Sequence, residues 1–346
     1  MPVQYRVEKI PAEFDEIKLQ QCEIPKAKAG YVVIKLQAAS TNFRDMAILK
    51  GMYPLPLKFP VVPGSDGAGH IVEVGEDVEK WKVGDYVSCN FFPFYIDGKS
   101  IPERTYKALG GTMDGCFQEY VAVPAVGVVK LPESLSPIQA STLPCAGLTA
   151  WNALFGDKSK ALQPGQNVLI QGTGGVSIFA LQFAVAAGAN VTVTSSSKEK
   201  LEFAKKLGAR RLINYRETPQ WGQKALELTN NEGYHHVVEV GGKKTFKQSL
   251  QCLAPGGVIT SIGFIASEGE EANFDEFISM LLHKGATIRG IFVGSTTQYE
   301  DMLKCIEAND IKPVVAKVFP LQELKDAYEF QWQQKHIGNI VLKISD

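Results

Sequence analysis

The 346-residue sequence contains no run of about 18 apolar residues, so nothing in it reads as a helix that spans a bilayer. It has no surplus of either charge: 36 Lys and Arg stand against 37 Asp and Glu, a formal net charge of −1. That balance offers no electrostatic footprint for nucleic acid or for an anionic membrane surface. Cysteine is sparse and scattered. Cys22, Cys89, Cys116, Cys145, Cys252 and Cys305 include no Cys-x-x-Cys pair and read as reduced thiols. Met1 to Glu16 alternates charged and apolar residues and lacks the apolar core of a signal peptide. A cytoplasmic protein is the expectation.

What is present is ordinary globular composition, with 45% hydrophobic and 21% charged residues. Single cores tend to split above about 250–300 residues, so the length predicts two domains. The texture divides accordingly. In the first third, short β-branched runs such as Val32–Leu36, His70–Val74 and Tyr86–Ser88 are bounded by turn residues, which predicts a β-rich, barrel-like domain. From Pro137 onward, apolar runs at Val168–Gln171, Val191–Thr194, Leu212–Asn214, Val237–Val240, Val258–Ile262 and Ile288–Phe292 alternate with helical stretches, among them Val176–Ala187, Glu199–Leu207 and Thr245–Leu253. In the first of these, Val176, Phe179, Ala180, Phe183 and Ala187 fall on one apolar face. Alternation of this kind predicts an α/β fold with a doubly wound parallel sheet. The final run, Asn339–Ile344, is expected to rejoin the first domain.

One local pattern carries chemistry. The strand Val168–Gln171 runs directly into Gly172-Thr173-Gly174-Gly175-Val176-Ser177, which opens a helix. Gly172 permits the tight turn, and Gly174 lets backbone N–H groups approach a pyrophosphate. The diphosphate then sits at the positive end of the helix. The sixth position is Ser where Gly or Ala is usual, but the strand, helix and following strand supply the context that a glycine pattern alone lacks. A dinucleotide site is the reading.

The end of the next strand bears on which dinucleotide. An NAD site wants an acidic residue there to accept from the ribose 2′-OH. Here the strand ends in Ser195-Ser196-Ser197-Lys198, with Lys200 following. Hydroxyls and cations suit a 2′-phosphate, which favours NADP(H). Ser196 and Glu199 also have capping-box spacing, so the same serines serve equally as the start of a helix.

Further motifs resemble the medium-chain dehydrogenase/reductase superfamily, and within it the zinc-free quinone oxidoreductase branch. They are Asn42-Phe43-Arg44-Asp45, Gly51-Met52-Tyr53-Pro54, Val62-Pro63-Gly64-Ser65-Asp66-Gly67-Ala68-Gly69, Val83-Gly84-Asp85-Tyr86-Val87, Gly115-Cys116-Phe117-Gln118-Glu119-Tyr120 and Leu143-Pro144-Cys145-Ala146-Gly147-Leu148-Thr149-Ala150-Trp151. The resemblance implies a GroES-like catalytic domain made of residues 1–125 and 294–346, with a Rossmann domain at 126–293. It implies cofactor contacts at Thr149, Gly172, Gly174, Gly175, Val176, Ser195, Ser196, Ser197, Lys200, Tyr215, Gly263, Phe264, Phe292 and Val293. It also implies a homodimer, with Ile288–Phe292 as a candidate edge.

The departures are as informative. Zinc alcohol dehydrogenases of this superfamily hold their catalytic metal with Cys, His and Cys. The corresponding positions here resemble Asn42, Ser65 (in Gly64-Ser65-Asp66) and Cys145, and only the last is a zinc ligand. Catalytic zinc takes three protein ligands. The four closely spaced cysteines of a structural zinc lobe are missing too, and the five histidines do not restore a ligand set: His235 and His236 point to opposite faces of an expected strand, and His70, His283 and His336 stand alone. The expectation is no metal.

Hydride reduction of a carbonyl or conjugated alkene puts negative charge on the substrate oxygen, which hydrogen-bond donors must then stabilise. Asn42, Tyr53 and Arg44 are the candidates. Asn42 also suits the turn that closes a strand, and Tyr53 also suits an aromatic wall. Phe43, Phe92, Phe94, Tyr95 and Cys145, with Phe91, are expected to line an apolar substrate pocket. The leading reading is a zinc-independent, NADPH-dependent reductase of a quinone, an enone, or an aldehyde or ketone. A zinc-type alcohol dehydrogenase and a non-catalytic NADPH-binding sensor or scaffold remain the alternatives.

Overall fold

The computed structural model describes residues 1–263 and 274–346. In chain order its strands are β1 (Val3–Arg6), β2 (Lys18–Gln21), β3 (Tyr31–Thr41), β4 (Asp66–Val74), β5 (Tyr86–Cys89), β6 (Tyr120–Pro124), β7 (Val128–Lys130), β8 (Asn167–Gln171), β9 (Asn190–Ser195), β10 (Arg211–Asn214), β11 (Tyr234–Glu239), β12 (Leu253–Ser261), β13 (Thr287–Gly290), β14 (Val315–Pro320) and β15 (Asn339–Lys343). The chain divides into two compact units, Met1–Leu148 with Val293–Asp346, and Thr149–Phe292. The first unit therefore extends beyond residue 125. There is a physical reason: β7 pairs with β5 in its sheet, and a buried carboxylate of β4 holds the backbone of Cys145.

In the first unit, seven strands form one sheet in the order β14-β15-β3-β4-β5-β7, with β6 also on β3. β3 is its axis. Its first half pairs with β6, its second half with β15, and its whole length with β4. The run Val32, Val33, Ile34 and Leu36 is almost fully buried, as suits β-branched side chains in a strand paired on both sides. β15 lies antiparallel to β3, matching Leu342 to Ala39, so the two ends of the chain complete one core. Ile340, Leu342 and Tyr328 from the C-terminal segment pack there with Leu36, Leu109 and Phe117.

A crowded turn feeds β4. The backbone N–H of Gly115 donates to Val62 O and that of Cys116 to Gly64 O, both at 2.8 Å. A Cβ on Gly115 would lie 1.9 Å from Gly64 O. Only glycine permits so close an approach of two backbones. This contact delivers Ser65 and Asp66 to the interior, where both are fully buried.

In the second unit, six parallel strands run in the order β10-β9-β8-β11-β12-β13. Helices Gly175–Ala186, Lys198–Lys206, Trp221–Leu228, Phe246–Gln251 and Phe274–Lys284 fall between successive strands. This is the doubly wound arrangement, reversing direction at β8. Its core includes Leu169, Ile213, Tyr234, Val237, Leu250 and Ile259. Helix Gly175–Ala186 is buried over more than the single expected stripe. Ile178, Leu181 and Ala184 are enclosed along with Phe179, Ala180 and Phe183, while Val176 and Ala187 are only half-buried. The Trp151 ring meets Phe183 edge-on at 5.5 Å, which helps to cover a second side of that helix.

Candidate functional site

The glycine turn has the conformation its residues predict. Gly172 takes φ +74°, a left-handed value that favours glycine. Its N–H donates to Thr194 O at 2.8 Å, which ties the turn to the end of β9. Gly174 is the N-cap of helix Gly175–Ala186, and no side chain caps that end. A Cβ on Gly174 would meet nothing within 4 Å. The start of this 12-residue helix thus carries no side-chain cap and has room beside Gly174, with the helix dipole behind it, which is a fit for an anionic diphosphate. Ser177, the unusual sixth residue, folds inward: its hydroxyl donates to Gln171 O at 2.7 Å and braces the helix against β8. That explains why a serine is tolerated there.

At the end of β9, Ser195 is still in the sheet, paired with Asn214, and is buried. Ser196 and Ser197 are half-buried. The helix cap is Ser197, one residue later than the Ser196–Glu199 spacing predicts, with its hydroxyl accepting the N–H of Lys200 at 3.4 Å. The shift follows from Ser195 remaining in the strand, which leaves Ser196 to make the turn. Partial burial lowers the Lys200 ammonium from its ordinary value, with Glu199 opposing the shift.

The other expected cofactor residues lie in varied surroundings. Thr149 is buried. Tyr215 follows β10, is 42% exposed, and donates its N–H to Ser195 O. Gly263 follows β12 so closely against the neighbouring strand end that a Cβ would lie 2.1 Å from Val240 O. Phe292 is largely exposed and ends the second unit. Val293 begins the returning segment with φ +48°, a value that β-branched residues rarely adopt. Phe264 lies outside the described residues.

In the first unit, Asn42 follows β3 and is the N-cap of the helix Phe43–Leu49. Asp45 reaches back to accept the Asn42 N–H at 2.8 Å. The Asn42 carboxamide nitrogen is buried and closes no well-formed hydrogen bond, although it acts on the buried carboxyl of Asp66. Arg44 is 8% exposed. Its Nη1 donates to Leu109 O at 2.7 Å, and its guanidinium lies over the rings of Phe91 (4.4 Å) and Tyr53 (5.2 Å). Asp45 Oδ1 is 3.9 Å from Nη1. Burial raises the Asp45 carboxyl to about 6, against the pull of Arg44 and of the Asn42 N–H. Burial likewise raises the Tyr53 phenol, opposed by Arg44, while Cys145 adds to the rise. Asn42, Arg44, Tyr53, Asp45 and Cys145 are therefore one neighbourhood.

At its base sits a residue that is not among the site residues expected from the sequence. Asp66 is fully buried; its Oδ1 accepts from the Ser65 hydroxyl at 2.6 Å. Its Oδ2 accepts from the Ser40 hydroxyl at 3.3 Å and from the Cys145 N–H at 3.1 Å. Burial pushes its carboxyl up to about 7, opposed first by the Ser65 hydroxyl and then by the Asn42 amide. A polar pair inside a glycine-rich strand entry is the one sequence signal that marks it.

The expected aromatic lining is divided. Phe43 turns away to stack on Trp332, with ring centroids 6.5 Å apart. Phe92 is fully buried edge-on against Phe91 and acts as packing. Phe94 is half-buried with Lys107 over its ring at 4.6 Å. Tyr95 is buried, its hydroxyl on Gly98 O at 2.9 Å. Asn90, absent from the expected residues, holds this loop by donating to the carbonyls of Tyr95 (3.3 Å) and Gly294 (3.2 Å).

Among the described residues, no group of three or more His, Cys, Asp and Glu side chains is placed to hold a metal ion. His235 accepts the Asn167 N–H, while its neighbour His236 is buried and its imidazole is pushed down to about 4 by desolvation. No described helix is long and apolar enough to cross a membrane.

Comparison with known proteins places these features. Residues 28–133 match the alcohol dehydrogenase GroES-like domain, and residues 175–308 match the zinc-binding dehydrogenase family. A zinc-type alcohol dehydrogenase-like protein of Schizosaccharomyces pombe is 59% identical over 345 residues, covering 99% of this chain and 100% of the relative. A putative alcohol dehydrogenase from Sinorhizobium meliloti has a similar solved structure, with TM-score 0.90 and 35% identity over 99% of this chain and 98% of that one. An NAD-dependent alcohol dehydrogenase superposes with TM-score 0.88 at 29% identity, covering all of both chains. The quinone oxidoreductase of Coxiella burnetii does so with TM-score 0.78 at 26% identity, covering 99% of each.

The Asp66 environment has a measurable consequence. A carboxyl raised from 3.8 to about 7 on folding binds its proton more tightly in the native chain, so stability falls as pH rises through that window and levels off above it. Asp66→Asn removes this dependence. Urea unfolding of both proteins from pH 4 to 8 should show wild type losing ground to the variant, with a slope approaching about 1.4 kcal/mol per pH unit. Parallel profiles would remove Asp66 as a buried titrating group.

Proposed function

We propose, since this chain belongs to the medium-chain dehydrogenase/reductase superfamily, that it is a zinc-independent reductase passing hydride from NADPH to a quinone, an enone, or an aldehyde or ketone. The observation that carries the reading is Asn42. Where the zinc enzymes resembled above have a cysteine ligand, this chain presents a buried carboxamide nitrogen that closes no well-formed hydrogen bond and acts on the Asp66 carboxyl. Around it, Ser65 cannot replace a histidine, Cys145 supplies only one thiol ligand, and the Asp66 oxygens already accept three hydrogen bonds. That donor set does not fit a catalytic zinc.

The glycine turn and the β9 end fit a nicotinamide dinucleotide. Backbone amides at Gly174–Val176 would hold the diphosphate. Ser195, Ser196, Ser197 and Lys200 would hold a 2′-phosphate, the strand end offering no acidic side chain for a 2′-OH. This supports NADPH although one structural neighbour is named an NAD-dependent enzyme. When bound, the cofactor supplies the hydride. The chain's part is to stabilise the charge that develops on the substrate oxygen, and Asn42 Nδ2 is a ready donor for it. A phenol is protonated near neutral pH and burial raises Tyr53 further, so it acts as a second hydrogen-bond donor and not as a fast acid. Arg44, anchored on Leu109 O, positions the Tyr53 ring. A cytoplasmic homodimer, meeting across the sheet edge at β13, completes the proposal.

Fluorescence titration should give clearly tighter binding of NADPH than of NADH; equal affinities would refute the role given to Ser195–Lys200. Purified protein should hold well under one zinc per chain by elemental analysis, and a stoichiometric content would return the chain to the zinc-type dehydrogenases. Asn42→Ala should lower kcat by about 10²-fold, the scale of losing one oxyanion donor, and Tyr53→Phe should lower it less. NADPH affinity should be unchanged in both. Wild-type turnover in both variants would take these residues out of the mechanism.

A further inference from the structure

Gln171 ends β8, one residue before the glycine turn, and Glu239 ends the adjacent strand β11. From β8 the chain builds outward through β9 and β10, then returns to place β11 on the other side. Open α/β sheets bind ligands in the crevice outside the strand ends at such a reversal. The glycine turn forms one lip of that crevice, and the loop 240–245 forms the other.

The side chains of Gln171 and Glu239 join the two lips. Gln171 Nε2 donates to Glu239 Oε2 at 2.6 Å and to Ser249 Oγ at 2.8 Å. Gln171 Oε1 accepts the N–H groups of Val240 (3.3 Å) and Gly241 (3.2 Å). Glu239 Oε1 accepts the N–H groups of Gly241 (2.8 Å) and Gly242 (2.9 Å) and the Thr245 hydroxyl (2.5 Å). Its Oε2 accepts the Ser249 hydroxyl at 2.5 Å. Glu239 is wholly buried, and its described partners are amides and hydroxyls with no cation among them. An apolar pair would join two strands without the desolvation of a carboxylate. What an apolar pair cannot do is hold three successive backbone amides of a loop in place beside a glycine turn. Gly263 adds a third strand end to the assembly, closely packed on Val240 O.

We propose that Gln171 and Glu239 are positioning residues for the cofactor: a carboxamide–carboxylate clamp that sets the spacing between the glycine turn and the loop 240–245. It thereby holds the part of the crevice that takes the nicotinamide half. The adenosine half belongs to the β8–β9 side, where the 2′-phosphate residues lie. The inference rests on the dinucleotide reading above.

The test is a reciprocal swap read with two probes. Gln171→Glu sets acid against acid, Glu239→Gln sets amide against amide, and the double variant restores one of each in exchanged places. Each single variant should bind NADPH about tenfold more weakly, or about 1.4 kcal/mol, while the double variant returns to within about threefold of wild type. Adenosine 2′,5′-bisphosphate, which reports only the β8–β9 side, should bind all four proteins alike. Equal losses for both probes, undiminished NADPH affinity in the single variants, or a double variant as weak as the singles would each overturn the clamp. Should a single variant fail to fold by circular dichroism, Gln171→Asn keeps the carboxamide but withdraws it by one methylene. Weakened NADPH binding in that folded variant supports the clamp, and wild-type affinity refutes it. A wild-type protein that binds neither probe would instead overturn the dinucleotide reading itself.

Discussion

Asp66 holds the backbone N–H of Cys145 across 79 positions of sequence, and much of the first unit is arranged to make that possible. The carboxyl is sealed from water, so every bond it accepts is strengthened by a low local dielectric, and every bond it lacks is correspondingly costly. Ser40 comes from the central strand β3, Ser65 from the turn that enters β4, and Cys145 from the segment before the first unit ends. The close passage of Gly115 over Gly64 carries the carboxyl to this place. The residues proposed to meet substrate are set around this one satisfied acid.

The second unit repeats the device with different parts. Glu239 is also wholly buried and is also surrounded by hydroxyls and amides. In both units the described partners of the buried carboxyl are amides and hydroxyls. Such cages are directional, whereas apolar contacts are not. They hold backbone amides and side-chain donors in set directions, as the oxyanion stabilisation proposed here requires. The reduction chemistry proposed here relies on donors of this kind.

Much of the architecture was legible because it rests on local chemistry. The strand–glycine turn–helix at Val168–Ala187 needs only its own residues to be recognised, and it folds as read. The alternating runs that follow it form the parallel sheet with boundaries shifted by a few residues. Where the reading slipped, neighbours distant in sequence were the cause. Ser197 caps its helix in place of Ser196 because Ser195 is held in the sheet by Asn214. Phe43 and Phe92 are packing residues because Trp332 and Phe91 lie against them.

The sequence by itself determined the fold class and the strand–glycine turn–helix unit, since each is a matter of which residues stand at short spacing. Only the tertiary structure decided the electrostatics: that burial raises the Asp66 carboxyl to about 7, that it raises the Tyr53 phenol beside Arg44, and that Gln171 reaches Glu239. Desolvation is a property of everything that surrounds a group, and those surroundings come from segments far apart in the chain. A carboxylate reads the same in a sequence whether it will be solvated or sealed. Folding makes that distinction, and in this protein the proposed chemistry depends on it.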